Sequence, residues 1–486
     1  MKNSSRLAIM LLASVITGCS GRQTPFLQGS AGPAPIYPDY KDVTIPVNIA
    51  PLNFRYVTDG AGRAVTTFSL GDRTVTIRGL EVKWGLRRWR SFIKDAAGGA
   101  IAVKAAVKTG SGTIEDSWTI SVSADPVDPY LTYRLIEPAY QMWNEVSIRE
   151  RCVEDFKETV ICDHQHTENS CMNCHIHGNQ RSDLSMFYIR GPRGGAILNK
   201  DGELRKLTLQ TDGMISGTVY GDIHPSGRFG VFSTNIIIPG LHTMAGNRME
   251  VYDTASDITV ADFDRNEMIN EPHVARTDVL ETFPCFSADG ESVFYCIADT
   301  VALPDDLENL RYSLVRAAFD TSSGRISESV DTVWSGYGHN ASVCHPKASP
   351  DGRWVMFTVS SYGTFPINHA DCELNMVDLE TGEINTLEGV KGDKSDTYHC
   401  WSSNSRWFVF ASKRGDGQYG KPYFCHIDDE GRPTKPFVLP QKSPCHYENT
   451  LKSYNVPDLG LGPVGIGVRD ARRMYKADSE PFKNNN

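Results

Sequence analysis

The chain has 486 residues, which is enough for more than one domain. It carries 49 basic and 59 acidic residues, a formal net charge of −10, and no long basic tract, so we expect no nucleic-acid partner. Beyond the N-terminal segment no apolar run approaches the length of a membrane span, and we expect the body of the protein to be soluble.

Residues 1–18 are typical of a secretory signal, because Lys2 and Arg6 precede a short apolar run that ends at Ile16. The stretch Ile16-Thr-Gly-Cys19 resembles the lipobox of bacterial lipoproteins. That resemblance implies cleavage before Cys19 and acylation of this residue, which would tether the protein to a membrane. An ordinary cleaved signal is the alternative. Either way we predict a protein of the bacterial cell envelope that faces the periplasm or the outer surface of the outer membrane.

The next regions differ in composition. Residues 19–38 are rich in Gly, Pro and Ser and indicate a lipid-anchored tether. Residues 39–125 hold several short runs of β-branched residues separated by Gly and Asp turns, a pattern that favours a small β-sandwich. Residues 126–184 have apolar positions at mixed spacings of three and four around 140–145 and 146–156, which predicts short helices.

This partly helical segment contains the most informative motif of the chain, Cys171-Met-Asn-Cys174-His175. Two cysteines three residues apart with a histidine directly after the second is the spacing for covalent attachment of haem c. Each thiol would add to one vinyl group of the haem, and His175 would be the proximal ligand of the iron. Haem c is attached outside the cytoplasm in bacteria, so the export signal agrees with the motif.

Two other uses of Cys171 and Cys174 remain open. His164, His166, His175 and His177 give nearby imidazoles, so the two thiols and two of these histidines could hold zinc. The pair could also form a disulfide, since an exported protein reaches an oxidising compartment.

Residues 185–470 repeat one hairpin signature four times, and repetition at this spacing predicts a β-propeller. Each copy is a tight turn followed by an alternating apolar strand. The copies begin at His224-Pro-Ser-Gly, Ser287-Ala-Asp-Gly, Ser349-Pro-Asp-Gly and Ser402-Ser-Asn-Ser. We predict five or six blades, with six favoured, and a disordered tail over residues 471–486.

The copy Ser349-Pro-Asp-Gly-Arg-Trp-Val-Met-Phe resembles the repeat of TolB-like propellers, also called WD40-like or PD40 repeats. The combination of a lipobox, a β-rich N-terminal part, one Cys-x-x-Cys-His motif and such a propeller is similar to a group of bacterial lipoproteins often labelled cytochrome c biosynthesis proteins. The resemblance implies a mainly all-β chain with a β-sandwich, a short helical haem-motif insert and a propeller. It implies no catalytic residue, and the sequence does not decide whether the protein is an enzyme.

A sixth iron ligand could come from elsewhere in the chain. We consider His224, His399, His345 and Met186, of which His224 and His399 lie beside predicted blade turns. Arg190 and Arg193 could pair with haem propionates, although a glycine-rich turn with solvated arginines explains them equally well.

Two functions follow from these patterns. The first is an envelope lipoprotein with a covalent haem c, acting in electron transfer or in sensing and docking of a ligand. The second is a non-redox binding or scaffold protein whose cysteines hold zinc or form a disulfide. Both readings include a membrane contact through Cys19 and a protein partner in the envelope.

Overall fold

The computed structural model describes residues 33–137, 145–241 and 249–485. The proposed signal, Cys19 and most of the tether lie outside these ranges. The N-terminal part of the described chain contains a ten-residue helix, α1 (Leu86–Asp95), and eight strands. The strands are β1 (Ile36–Tyr37), β2 (Thr44–Pro46), β3 (Phe54–Tyr56), β4 (Arg63–Leu70), β5 (Arg73–Arg78), β6 (Glu81–Val82), β7 (Gly99–Thr109) and β8 (Gly112–Ser123).

These strands form two sheets, a small one in the order β1-β3-β6 and a larger one in the order β2-β8-β7-β4-β5. Strand β7 shows why the sequence adopts this arrangement. Ile101, Val103, Ala105 and Val107 are buried and alternate with more exposed residues, so the strand buries one face only. The buried face shares one apolar core with α1, whose Trp89 is fully buried.

Most of the remaining chain forms six successive antiparallel sheets among the described residues. The strands of the first three are β9 (Tyr130–Ile136), β10 (Val146–Cys152), β11 (Glu158–Asp163); β12 (Met172–His177), β13 (Leu184–Ile189), β14 (Gly195–Lys200), β15 (Glu203–Thr208); and β16 (Thr218–Ile223), β17 (Phe229–Leu241), β18 (Met249–Asp262), β19 (Glu267–Ile269). Those of the last three are β20 (Val279–Phe286), β21 (Ser292–Asp299), β22 (Ser313–Asp320), β23 (Arg325–Trp334); β24 (Ser342–Ala348), β25 (Trp354–Ser360), β26 (Glu373–Asp378), β27 (Ile384–Asn385); and β28 (Asp396–Trp401), β29 (Trp407–Ser412), β30 (Lys421–His426), β31 (Phe437–Val438).

A late strand, β32 (Ser453–Gly460), closes the arrangement into a ring. It pairs antiparallel with β9 and so becomes the innermost strand of the first sheet. The innermost strands β12, β16, β20, β24 and β28 contact one another in order, and β32 contacts both β28 and β12. A closed ring of four-stranded antiparallel sheets is the architecture of a β-propeller.

The four repeated turns predicted from the sequence are confirmed. In each, the fourth residue has a left-handed backbone, with φ of 71° at Gly227, 75° at Gly290, 77° at Gly352 and 57° at Ser405. Each such residue donates its backbone N–H to the carbonyl of the first turn residue, at 2.8–2.9 Å. Glycine is favoured in three of the four turns because it adopts this conformation without steric cost.

The helices predicted around residues 146–156 are wrong. Residues Val146–Cys152 form the strand β10, and the haem-like motif lies on strand β12. The ring therefore includes described residues of 130–184, which the sequence analysis assigned to a separate, partly helical insert. Residues 140–144 of the predicted first helix lie outside the described ranges.

The disordered tail predicted at 471–486 is also wrong for the residues that the structure describes. It contains α3 (Val468–Lys476), β33 (Glu480–Pro481) and β34 (Lys483–Asn484). Strand β33 pairs with β15 and β34 with β19, so the tail adds an outer strand to two neighbouring sheets.

The other described helices are short. One is α2 (Gly336–His339), and the rest are 3-10 turns at His164–His166, Gly178–Gln180, Pro272–Val274, Leu307–Asn309 and Pro366–Asn368.

Candidate functional site on the channel wall

All six innermost strands carry a β-bulge at matching positions, and the Cys-x-x-Cys-His motif lies on one of them. The pairing register shifts by one residue between Asn173 and Ile176 in β12 and at equivalent points in β16, β20, β24, β28 and β32. A bulge bends a strand and redirects its side chains. In this ring the bulges determine which side chains face the central channel.

We call six residues at these bulges the bulge layer: Cys174, Phe283, His345, Tyr398 and Val456, each directly after the last paired residue before the shift, and Tyr220, which lies one position further along in β16. All except Tyr220 have φ between 50° and 54°. This left-handed conformation costs a non-glycine residue about 1–2 kcal/mol, and such residues are found preferentially at functional sites.

The aromatic members of the bulge layer contact one another around the ring. The ring centroids of Tyr220 and Phe283 are 4.4 Å apart, those of Phe283 and His345 4.1 Å, and those of His345 and Tyr398 4.5 Å. Burial raises the pKa of Tyr220 and of Tyr398, and the nearby Cys174 adds to both shifts. The Cys174 thiol therefore belongs to the same layer as the aromatic rings.

Cys171 and Cys174 are both free thiols and lie close to each other, at the start and the middle of the motif. Burial raises the pKa of the Cys174 thiol, and the guanidinium groups of Arg190 and Arg134 oppose that shift. Arg190 is held in place by its backbone, whose N–H donates to the Cys171 carbonyl at 2.8 Å.

His175 follows Cys174 in the bulge and is 4% exposed. Neither ring nitrogen forms a hydrogen bond of ordinary geometry to the described residues, although the Val456 backbone is close enough to raise the pKa of the ring. Burial lowers the pKa of His175 to about 4, and Asp458 offsets only part of that effect. His175 is therefore a neutral imidazole at physiological pH, which is the form that binds a metal.

The sixth-ligand candidates Met186, His224 and His399 are all buried and already engaged within the fold. Met186 packs in the apolar core between the second and third sheets. His224 contacts Ser226 through Nδ1 at 2.8 Å and the Gly290 carbonyl through Nε2 at 3.2 Å. The Nε2 atom of His399 lies 2.9 Å from the Met356 carbonyl, and burial lowers its pKa to about 3.

His345 differs from these candidates, because it is a member of the bulge layer. Both of its ring nitrogens are buried without a hydrogen bond to the described residues. Burial lowers its pKa well below the ordinary value, and His399 and Lys347 lower it further. Its strand, β24, is three positions from β12 in the six-membered ring and so lies on the opposite side of the channel. The sequence ranked His345 no higher than the other histidines.

The carboxyl ends of the six innermost strands converge on a cavity of about 60 Å³, which we call the carboxyl-end chamber. His177, Asp222, Lys347 and Asp458 contribute its charged and titratable groups. Burial alone would lower the pKa of the Lys347 ammonium, but Asp222 and Asp458 raise it above the ordinary value. Burial would raise the pKa of Asp458, but His177 and Lys347 hold it well below its usual range.

A larger cavity, of about 380 Å³, lies between Asn199 and helix α3. Among their described lining residues, neither cavity includes Cys171, Cys174 or His175.

Over the described ranges, no three His, Cys, Asp or Glu side chains are grouped closely enough to hold a metal ion. Two histidines of the zinc alternative are engaged locally: His166 pairs with Asp163 at 2.6 Å, and His177 lies 3.3 Å from Asp458. The described part of the chain also contains no helix long and apolar enough to cross a membrane.

The comparisons with known proteins identify only distant similarities in structure. No family model and no curated protein matches the sequence. A solved structure described as TolB, from Agrobacterium tumefaciens, is 13% identical, with 65% of this chain and 92% of that chain covered and a TM-score of 0.37. Hydrazine synthase from Kuenenia stuttgartiensis is 10% identical, with 66% and 48% covered and a TM-score of 0.38. Oligogalacturonate lyase from Vibrio parahaemolyticus is 10% identical, with 69% and 87% covered and a TM-score of 0.34. At these scores the similarities give no information on function.

Proposed function

We propose that this chain is an exported redox protein that carries one haem c on the channel wall of a six-bladed, TolB-like propeller. In this proposal Cys171 and Cys174 form the two thioether bonds and His175 binds the iron. The observation that carries it is the state of His175: a buried, neutral imidazole, directly after the motif's second cysteine, with no hydrogen bond of ordinary geometry from either ring nitrogen to the described residues. A buried polar group without a partner costs free energy, and a bond from a His175 nitrogen to iron would offset that cost.

The donor set fits haem c in two further respects. Both motif cysteines are free thiols, as thioether formation requires. The guanidinium groups of Arg134 and Arg190 lie near Cys174, where positive charge suits the carboxylates of a haem. When bound, the haem would supply a one-electron iron couple or an open position for a small ligand.

The fold assigns different tasks to the residues around the motif. The bulge places Cys174 and His175 at the two consecutive positions of β12 that have no partner in the register with β13. Tyr220 and Tyr398 lie near Cys174, and the residues that surround a haem are one of the means by which a protein sets its redox potential. Asp458 accepts from the His177 backbone at 2.8 Å, which fixes the strand just beyond His175.

The location of the protein is part of the same proposal. The signal-like residues 1–18 and the lipobox-like Cys19 support an envelope lipoprotein, anchored by acyl chains and facing the periplasm or the outer surface. A protein of the envelope would then be its electron-transfer or docking partner.

The test is covalent haem in the exported protein. The chain is expressed in a bacterial host with haem c maturation, denatured, and examined on a gel for haem-dependent peroxidase staining. We expect a stained band for the unaltered protein and no stain for Cys171→Ala/Cys174→Ala. Cys445→Ala is the matched control, because Cys445 is also a partly exposed free thiol but lies outside the motif. An unstained band for the unaltered protein would contradict the proposal.

A second function, a non-redox binding or scaffold protein, is favoured by the carboxyl-end chamber. All six innermost strands contribute their ends to it, and it combines an ammonium with two carboxylates. Such a chamber could hold a polar group of a ligand or partner without any haem. An unstained protein that carries one equivalent of tightly bound zinc, or a Cys171–Cys174 disulfide, would support this function instead.

A further inference from the structure

The larger sheet of the N-terminal part, β2-β8-β7-β4-β5, buries one face and leaves the other exposed. Successive side chains of a strand point to opposite faces, and the burial of β4 follows this alternation. Ala64, Thr66 and Phe68 are buried, whereas Arg63 is exposed and Val65 is 38% exposed. We call the exposed side the open face. Its charged residues in β4, β5, β7 and β8 are Arg63, Arg78, Lys104, Lys108 and Glu115.

The open face is therefore basic, with four cations and one carboxylate. All four cations are exposed, and none of them forms an ion pair within the described ranges. Arg63 and Lys108 are even direct partners in the pairing of β4 with β7. Like charges directly opposite each other destabilise a sheet. This arrangement is explained better by an anion outside the chain than by the stability of the sheet itself.

The basic character belongs to the N-terminal part and is reversed in the rest of the chain. Residues 33–125 contain 12 basic and 9 acidic residues, whereas residues 126–486 contain 34 basic and 50 acidic residues. A charge asymmetry of this kind indicates contact of the basic part with an anionic surface, while the acidic part is repelled from it.

The tether joins the molecule at this same sheet. The backbone N–H of Ala34, at the beginning of the described chain, donates to the Asp116 carboxylate of β8 at 3.3 Å. Residues 20–32 separate the proposed lipid anchor at Cys19 from this point, and a chain of that length spans at most about 45 Å. An acylated Cys19 would therefore keep the sheet close to a bilayer and raise its effective concentration at the lipid surface.

We propose that the open face binds the anionic phospholipid headgroups of the membrane that holds the anchor. The inference rests on the envelope location in the proposed function, and it does not depend on haem. Lipid phosphates would bind the four cations, and Val65 gives this face an apolar contact near them. The N-terminal part shares its apolar core with Trp407 and Phe424 of the last blade, so the contact would also set the orientation of the ring at the membrane.

The test uses the full mature chain with Cys19→Ser, which removes the acyl anchor and leaves the sheet unchanged. Binding is measured by flotation with vesicles of phosphatidylglycerol and phosphatidylcholine in equal amounts, and with vesicles of phosphatidylcholine alone. We expect binding to the anionic vesicles only. We also expect it to weaken as sodium chloride rises from about 0.05 to about 0.5 M, because salt screens exposed charges.

The decisive variant is Arg63→Gln/Lys104→Gln/Lys108→Gln. It removes three charges and no ion pair among the described residues, so we expect it to fold, which its thermal unfolding midpoint without vesicles verifies. The matched control is Arg87→Gln/Arg88→Gln/Lys94→Gln, because these side chains are equally exposed but lie on α1, which packs in the core beneath the buried face. We expect the sheet variant to bind anionic vesicles about 10-fold more weakly or less, and the helix variant to bind like the unaltered sheet.

The inference is overturned if the Cys19→Ser chain binds neither type of vesicle, as a face made for an acidic protein would, or if it binds both types equally. It is also overturned if the helix variant loses as much affinity as the sheet variant, because the effect would then reflect total charge. These results are independent of the haem stain. A stained protein that ignores anionic vesicles contradicts this inference alone, and an unstained protein that binds them through the open face contradicts the haem proposal alone.

Discussion

The bulges of β12 and β28 have the same backbone and different chemistry. Cys174 and Tyr398 both have a left-handed φ, of 54° and 50°, and each is followed by a buried histidine. His399 is bonded to the Met356 carbonyl through Nε2, whereas neither nitrogen of His175 has a hydrogen bond of ordinary geometry to the described residues. The same backbone conformation thus recurs around the ring, and the chemistry at each bulge depends on the side chains that it carries.

The largest expected effect separates these two histidines. We predict that His175→Ala changes the haem spectrum from that of a histidine-ligated iron, because it removes the proximal ligand. His399→Ala should leave the iron ligands and the spectrum unchanged. The measurement is the absorption spectrum of the oxidised and reduced proteins. Equal spectra for the two variants would show that His175 and His399 do not differ in their relation to the iron.

The same approach distinguishes the candidates for the sixth ligand. Because His345 lies in the bulge layer with no hydrogen bond to the described residues at either ring nitrogen, and His224 has contacts at both, His345→Ala is expected to alter the spectrum or the affinity for an added imidazole. His224→Ala should change neither. If His345→Ala binds imidazole like the unaltered protein, this residue does not reach the iron.

The next largest effect concerns the contribution of packing in the bulge layer to the free energy of unfolding. Phe283 is 4% exposed and contacts the rings of Tyr220 and His345. We predict that Phe283→Ala lowers the free energy of unfolding by about 3–5 kcal/mol, because it removes a large buried ring and leaves a cavity. Urea denaturation measures this loss. Exposed Tyr337 provides the control, since Tyr337→Ala should cost about 0.5 kcal/mol or less.

Two residues before the bulge, β12 has Met172 and β20 has Glu281, and both are fully buried. Burial raises the pKa of Glu281 to about 8 and that of Asp253 to about 7. Both groups bind protons more tightly in the folded state than in the unfolded state, so stability should fall as the pH rises from about 4.5 to 8. Glu281→Gln should flatten that dependence in urea denaturation at pH 5.5 and 8, whereas exposed Glu328→Gln should not.

The smallest effect concerns the turns after the innermost strands. Gly352 has φ of 77° and open space around an added Cβ, so Gly352→Ala introduces backbone strain without a steric contact under 3.8 Å. We expect a loss of about 1 kcal/mol in the free energy of unfolding. An unchanged stability would show that the turn relaxes to another conformation.

The sequence predicted the repeated turns because their signal is local. A Gly or Ser at the fourth position and an apolar strand after it are sufficient to recognise them. The bulges gave no such signal, since Cys174, Phe283, His345 and Tyr398 share no residue type and their alignment appears only once the strands form a ring.

The predictions for residues 146–156 and for the C-terminal tail were wrong because partners far away along the chain stabilise the polar residues of these regions. In β10, Glu150 accepts from the Val464 backbone at 2.6 Å and Arg151 donates to the Pro440 carbonyl at 3.0 Å. In the tail, Glu480 pairs with Arg205. These partners lie 275–314 residues away along the chain, so the local spacing of apolar residues in 146–156 and the residues of the tail alone did not reveal the strands.

The mass of the tryptic peptide 158–181, which contains the whole motif, shows directly whether the chain carries covalent haem. We expect this peptide, from protein exported by a host with haem c maturation, to carry the mass of one haem, and we expect fragmentation to place it on Cys171 and Cys174. A peptide with the mass of its amino acids alone, or with Cys171 and Cys174 joined as a disulfide, would show that no haem is attached.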